Sequence, residues 1–288
     1  MIVGPSVPGA VGFLGAGRMG GPMVERLLAA GRPVHLHARR PEVRARFEAL
    51  GASVTDDPAA AVRTADVVLV CVYSDSQLRE VALAGGLVAA MPPGSVLAVH
   101  VTSSPGTMAE LLDVGRASGV EVVDAPVSGT AADIRAGRLS VLLGGEGAAA
   151  ERVAQVVAAY ADAVVRTGPV GSAQHVKLLN NLVFSAHVQL LLEAVRAAES
   201  VGVAAATLSR AFTVCSARSA AAEGAAAVGP EEYARRVAPF LEKDLRTAVD
   251  TATALGLDLS RLLVAIELGP LDLGPSVSVR HGRPGGTR

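Results

Sequence analysis

Lys177 and Asn181 lie four residues apart in the stretch Gly168-Pro-Val-Gly-Ser-Ala-Gln-His-Val-Lys-Leu-Leu-Asn-Asn-Leu182. The stretch opens with Gly and Pro, then keeps a helical pattern to about Ser200. Leu178, Leu182, Ser185, Val188, Leu192 and Val195 recur at spacings of three and four, as on a helix that buries one side. Residues four apart on a helix point the same way, one turn above the other. A lysine and an amide on one such face admit two readings. The lysine snorkels at the surface beside a polar neighbour, or it is a proton donor held by a hydrogen-bonding partner.

Three further clusters carry chemistry. Gly15-Ala-Gly-Arg-Met-Gly20 follows an apolar run, Ala10 to Leu14, and precedes a helical pattern from Gly21 to Ala30. Gly15, Gly17 and Gly20 in that context permit a tight turn and the close approach of a pyrophosphate to the helix N-terminus, with Arg18 and Met19 in the same loop. The second strand, Pro33 to His37, ends at Ala38-Arg39-Arg40, and the first acid after it is Glu42. An NAD enzyme places Asp or Glu there for the ribose hydroxyls; Arg39 and Arg40 suit a 2′-phosphate, or they simply begin a solvated helix. The reading adopted is NADP in preference to NAD. Asp124-Ala-Pro-Val-Ser-Gly129 follows another strand pattern. The Ser128 hydroxyl and the Gly129 N–H would hold a small carboxylate, or form an ordinary turn.

The elements that must position these residues alternate in the first half. Strands are predicted over Val67 to Tyr73, Gly94 to Val99, Glu121 to Asp124, Leu139 to Gly144 and Ala163 to Arg166. Helices are predicted over Pro41 to Leu50, Pro58 to Thr64, and from Ser74–Ser76 through Ala82. Another is predicted to begin near Thr107. Such alternation argues an α/β, doubly wound, mostly parallel sheet. From about Ala173 onward the pattern is helical, to Ala254. The expected domains are 1–168, a dinucleotide-binding domain; 169–268, a helical domain; and 269–288, a loose tail rich in Gly and Pro.

The chain of 288 residues has a formal net charge of -1 and no Trp. Neither an electrostatic attraction to nucleic acid or anionic membrane nor a base-stacking platform is expected. No apolar strand-like run is long enough to span a bilayer, and residues 1–9 do not resemble a signal peptide. Two cysteines, Cys71 and Cys215, make neither a disulfide framework nor a metal knuckle. Cys71 is expected as a small buried hydrophobe, and a cytoplasmic location is expected.

Four ordered segments carry a resemblance. Gly12-Phe-Leu-Gly-Ala-Gly-Arg-Met-Gly-Gly-Pro-Met23, Asp124-Ala-Pro-Val-Ser-Gly129, Gly171-Ser-Ala-Gln-His-Val-Lys-Leu-Leu-Asn-Asn181 and Phe240-Leu-Glu-Lys-Asp-Leu245 resemble the signatures of the beta-hydroxyacid dehydrogenases. This group includes 3-hydroxyisobutyrate dehydrogenase and glyoxylate/succinic semialdehyde reductases. The resemblance implies a Rossmann-type domain followed by an all-α, 6-phosphogluconate-dehydrogenase-like domain. It implies Lys177 as the catalytic lysine and Asn181 as its partner. Ser128 and Gly129 would form the substrate-carboxylate clamp, and Thr102 would lie near substrate and nicotinamide. Lys243 would lie by the cofactor, with Asp244 beside it, and the family forms dimers or tetramers. A homodimer is expected.

A hydride transferred at the carbon bearing oxygen develops an alkoxide that needs a positive, proton-donating group, and Lys177 meets both needs. The expected substrate is a small 3-hydroxy acid, semialdehyde or 2-oxo acid, a carboxylate or carbonyl compound. No metal is required, and His100, His175 and His187 read as loop or helix-surface residues. The chain departs from the family pattern at Thr130, where a second glycine is usual, at Tyr73, which is expected to intrude at the nicotinamide ribose, and at His100, which replaces an acid. An imine reductase of the same fold and a non-catalytic cofactor-binding reader module are the alternatives; retention of Lys177 weighs against both.

Overall fold

A computed structural model describes residues 9–273, and the chain divides into two compact units, 1–177 and 178–288. The first unit begins with β1 (Val11–Leu14), α1 (Gly20–Ala29), β2 (Val34–His37), α2 (Pro41–Ala49) and β3 (Ser53–Thr55). It continues with β4 (Val67–Val70), α3 (Asp75–Leu78), a π-type turn at Arg79–Ala84, α4 (Leu87–Ala90), β5 (Val96–Val99) and α5 (Pro105–Ser118). Then come β6 (Glu121–Asp124), β7 (Val127–Ser128), α6 (Ala131–Arg135), β8 (Leu139–Gly144), α7 (Gly147–Val157) and β9 (Ala161–Gly168). The sheet order is β3-β2-β1-β4-β5-β6-β8-β7, with β9 paired to β8.

The strands from β3 to β6 pair in parallel, which the unbroken apolar runs of β1, β4 and β5 require, since both faces are covered. Alternate residues feed two cores. Val11, Phe13, Val67 and Leu69 face one. Leu14, Val68, Val70 and Leu97 face the other. The order reverses between β2-β1 and β4, the point at which doubly wound sheets bind ligands beyond their strand ends. β8 runs antiparallel to β6 and β7, so the sheet is mixed at that edge.

α8 (Ser172–Ser200) begins in the first unit and continues into the second, which also holds α9 (Ala205–Phe212), α10 (Ala220–Val228), α11 (Pro230–Leu255) and α12 (Ser260–Glu267). The second unit's core joins Leu178, Leu182, Val188, Leu191 and Val195 to Leu241, Leu245, Leu263 and Ile266. Among the described residues α8 is the one helix long and apolar enough to cross a membrane. Half of its apolar window is buried inside the protein, as in a core helix.

Several expectations are corrected. Pro58 to Thr64 forms turns rather than a helix, and these turns still bury Ala61 and Val62 in the core. α7 and α12, absent from the sequence reading, are both helices with one buried side. The two compact units meet inside α8, whose first turn is bonded to Asp124 at the end of β6. Gly269–Leu273 are not loose: Gln189 donates to the Ile266 and Leu271 carbonyls and accepts from the Leu271 N–H, and Leu273 is buried. The rest of the expected tail lies outside the described residues.

Candidate active site

The glycine loop turns from β1 into α1. Gly15 has φ +99, and a Cβ there would lie 2.2 Å from the Cys71 carbonyl; a Cβ on Gly20 would lie 2.0 Å from the Gly15 carbonyl. Those two glycines are demanded by the turn itself. Gly17 differs: a Cβ there meets nothing within 4 Å among the described residues, so their packing does not require a glycine. Arg18 is exposed and Met19 is the N-cap of α1, but no side chain caps the helix and no acid stands in its first turn. The Gly21 N–H donates to the Gly17 carbonyl, so it is the positive end of the helix dipole, unopposed by an acid, that fits a pyrophosphate.

At the end of β2, Arg39 and Arg40 are exposed. Arg40 pairs with Glu42 at 3.6 Å, whereas Arg39 has no ion-pair partner among the described residues. Arg44 donates to the Ala38 carbonyl at 3.1 Å and the Arg39 carbonyl at 2.8 Å, fixing the backbone of that corner. Burial, then the charge of Arg39, hold the His37 imidazole below its ordinary range, so it stays neutral beside the arginine. Tyr73 lies after β4, 63% exposed, with its N–H donating to Gln77. Cys71 also lies just past β4, half-buried rather than within the strand, and burial pushes its thiol up to about 12.

The loops after β5 and β6 are tied to the start of α8. Asp124, fully buried, accepts from the Gly171 N–H at 2.8 Å and the Gln174 N–H at 2.9 Å, so a carboxylate sits at the helix N-terminus. Burial pushes its pKa up, and these bonds oppose that push. The Gln174 side chain accepts from the Ser103 N–H at 3.1 Å and donates to the Val101 carbonyl at 3.0 Å. Thr102 stands between those two residues, and Lys177, half-buried, follows one turn along α8. Ser128 and Gly129 are on and just after β7, and Gly129 has φ +134. Thr130 N-caps α6 through a capping box with Asp133, whose carboxyl that bond holds low.

His100 lies in the loop after β5, as expected, but it is buried. Nδ1 lies 2.6 Å from the Ala125 carbonyl, which only accepts, so Nδ1 carries the proton. Nε2 therefore accepts from the Tyr160 hydroxyl at 2.7 Å. Burial lowers the imidazole to about 4. Tyr160, missed at the level of sequence, is fully buried, and its hydroxyl has this polar partner. The expectation for His175 and His187 stands, since both are exposed on α8.

In the second unit Asn181 is buried and donates to Asp244 at 2.9 Å, while its carbonyl accepts from Asn180 at 3.2 Å. Asp244 and Lys243 are half-buried neighbours on α11. No cluster of His, Cys, Asp and Glu among the described residues suits a metal ion.

Residues 10–168 match the NAD-binding domain of 6-phosphogluconate dehydrogenase, and residues 171–268 match the NAD-binding model of NADP-dependent 3-hydroxyisobutyrate dehydrogenase. The chain belongs to the beta-hydroxyacid dehydrogenase family. It is 30% identical to an uncharacterized oxidoreductase of Mycobacterium tuberculosis over 95% of this chain and 96% of that one. The solved 3-hydroxyisobutyrate dehydrogenase of Mycobacterium tuberculosis, determined with L-serine, superposes with a TM-score of 0.79 at 25% identity, covering 94% of this chain and 98% of the other. A protein named Psf3, solved with NADP+ and 2-OPP, superposes with a TM-score of 0.68 at 28% identity over 85% and 94%. As a beta-hydroxyacid dehydrogenase the protein is an NAD(P)-dependent oxidoreductase. The open side of Gly17 and the uncapped N-terminus of α1 fit that cofactor.

Proposed function

We propose that the protein is an NADP-dependent reductase or dehydrogenase of a small 3-hydroxy acid, semialdehyde or 2-oxo acid, with Lys177 as general acid and base. The observation that carries the reading is the anchoring of α8. Its first turn is bonded to Asp124, at the carboxyl end of β6, and to the loop after β5. The lysine-bearing helix thus starts from the sheet edge on which the glycine loop lies. The bound cofactor supplies or receives a hydride at the carbon bearing oxygen. Lys177 gives its proton to the developing alkoxide, or takes the hydroxyl proton in the reverse direction. Asn181 orients the reacting oxygen, with its own amide aligned by Asp244. Ser128 and Gly129 hold the substrate carboxylate, and Thr102 lies beside the reacting carbon.

Arg39, whose guanidinium pairs with no carboxylate among the described residues, is the stronger candidate for a 2′-phosphate, with Arg40 beside it. Arg18, Met19, Tyr73 and Lys243 complete the cofactor contacts. The name of the serine-bound relative agrees with a short hydroxy acid bearing a carboxylate, since serine is itself a 3-hydroxy acid. A homodimer is proposed from the exposed apolar stripe Val176, Leu179, Val183 and Leu190 on α8, whose spacing suits a second helix.

The test is a panel of small hydroxy acids, oxo acids, semialdehydes and cyclic imines, each assayed with NADPH or NADP+ and with NADH or NAD+. Turnover of a carboxylate-bearing hydroxy or oxo compound with the phosphorylated cofactor is expected. Turnover confined to imines would overturn the reading.

A further inference from the structure

We propose that Gln174 is a positioning residue that fixes Thr102 and Lys177 relative to each other; the inference rests on the reading of Lys177 as the proton donor. Residues 101–104 are in no strand or helix, so no ladder of backbone bonds holds the loop that carries Thr102. Asp75 accepts from the Ser104 N–H at 3.1 Å at the far end of the loop, and the Gln174 side chain holds the part around Thr102. It is 4% exposed, and it bonds the residues on either side of Thr102, the Val101 carbonyl at 3.0 Å and the Ser103 N–H at 3.1 Å. The Ser103 hydroxyl is buried without a hydrogen-bond partner among the described residues, so the bond its N–H donates to the Gln174 carbonyl is what registers that residue.

The other end of the device is equally constrained. The Gln174 N–H and the Gly171 N–H both donate to Asp124, which is fully buried. Gly144 leaves room for that carboxylate: a Cβ at 144 would lie 2.3 Å from Asp124 Oδ1. The backbone of the first turn of α8 is thereby fixed to the sheet, and its one buried amide reaches back to the loop. Lys177 stands one turn further on. A shift of the loop against the helix breaks two buried hydrogen bonds at once and orphans a buried donor and a buried acceptor. Displacement of about 1 Å between reacting groups costs on the order of 100-fold in rate.

The experiment compares Gln174→Met, which keeps the volume and removes both bonds, with Gln174→Glu. The glutamate still accepts from Ser103 but sets an oxygen against the Val101 carbonyl. Both are measured beside Lys177→Ala, with kcat, KM, NADPH affinity and the pH profile of kcat. The expected result is a kcat lowered roughly 10- to 100-fold and a displaced pH limb, with NADPH affinity within about twofold and Gln174→Glu less impaired than Gln174→Met. A purely structural part would lower Tm and leave kcat per folded molecule unchanged. Normal kcat and pH profile in both variants, with Lys177→Ala inactive, overturns the proposal and spares the reading of the site. If neither variant folds, hydrogen exchange of the wild type decides: a protected Ser103 amide supports the bond, and a freely exchanging one refutes it. A fully active Lys177→Ala removes the reading and this inference together.

Discussion

Asn181 donates its side-chain amide to Asp244 across 2.9 Å, and its carbonyl accepts from Asn180. The amide is therefore oriented from two sides, by Asp244 on α11 and by Asn180 on its own helix. Asp244→Ala deprives a buried donor of this acceptor, at a cost of about 1–3 kcal/mol. Lower Tm together with a kcat reduced about tenfold is the expected outcome, read by calorimetry and steady-state kinetics. Unaltered kcat would show that Asp244 does not orient a group used in turnover.

The glycines of the cofactor loop separate folding from binding. Gly20→Ala would push a Cβ to 2.0 Å from the Gly15 carbonyl and should destabilise the first unit by several kcal/mol. Gly17→Val meets no protein atom at Cβ, so Tm in the absence of cofactor should stay near wild type while NADPH affinity falls by about 100-fold or more. Arg39→Ala should weaken NADPH by roughly 30-fold, about 2 kcal/mol, and leave NADH unchanged. Calorimetric titration of the three variants with both cofactors checks all of this.

His100 sets an acid limit on stability. In the unfolded chain it takes a proton below its ordinary value of 6.5; in the fold, burial delays this to about 4. Between those values the unfolded state binds more protons, so stability falls as pH drops from 6.5 to 4 and is unaffected by this group above 6.5. The contribution at stake is about 3 kcal/mol. His100→Asn should be less stable at pH 7, yet should lose less than wild type over the same acid window in chemical denaturation. Equal acid slopes would contradict the buried neutral imidazole.

The exposed stripe on α8 predicts a quaternary effect. Val183→Glu with Leu190→Glu should convert a dimer to a monomer in light scattering, without loss of helicity. A monomeric wild type would contradict the proposed homodimer.

Much of the fold was legible because its determinants are local. The apolar runs of β1, β4 and β5 announce strands covered on both faces, and Gly15, Gly17 and Gly20 announce the turn between β1 and α1. Ser74, read as part of a cap, does cap the helix after β4 by accepting from the Gln77 N–H. What was not legible depends on partners distant in sequence. His100 reads as a loop residue until Tyr160, sixty positions later, covers it. Gln174 reads as one polar residue on an amphipathic helix until the loop near Val101 meets it. α7 was overlooked although Ala149, Ala150, Val153 and Val157 follow a helical period, and the order of β8 against β6 and β7 has no local signal.

The reading of the site stands most directly on Lys177. Rapid-mixing and steady-state assays of Lys177→Ala, with NADPH binding measured by titration on the same preparation, test it. Reduction of the best carbonyl substrate should fall at least about 1,000-fold while NADPH binds as in the wild type. Turnover within a few-fold of wild type would contradict lysine-assisted hydride transfer in this protein.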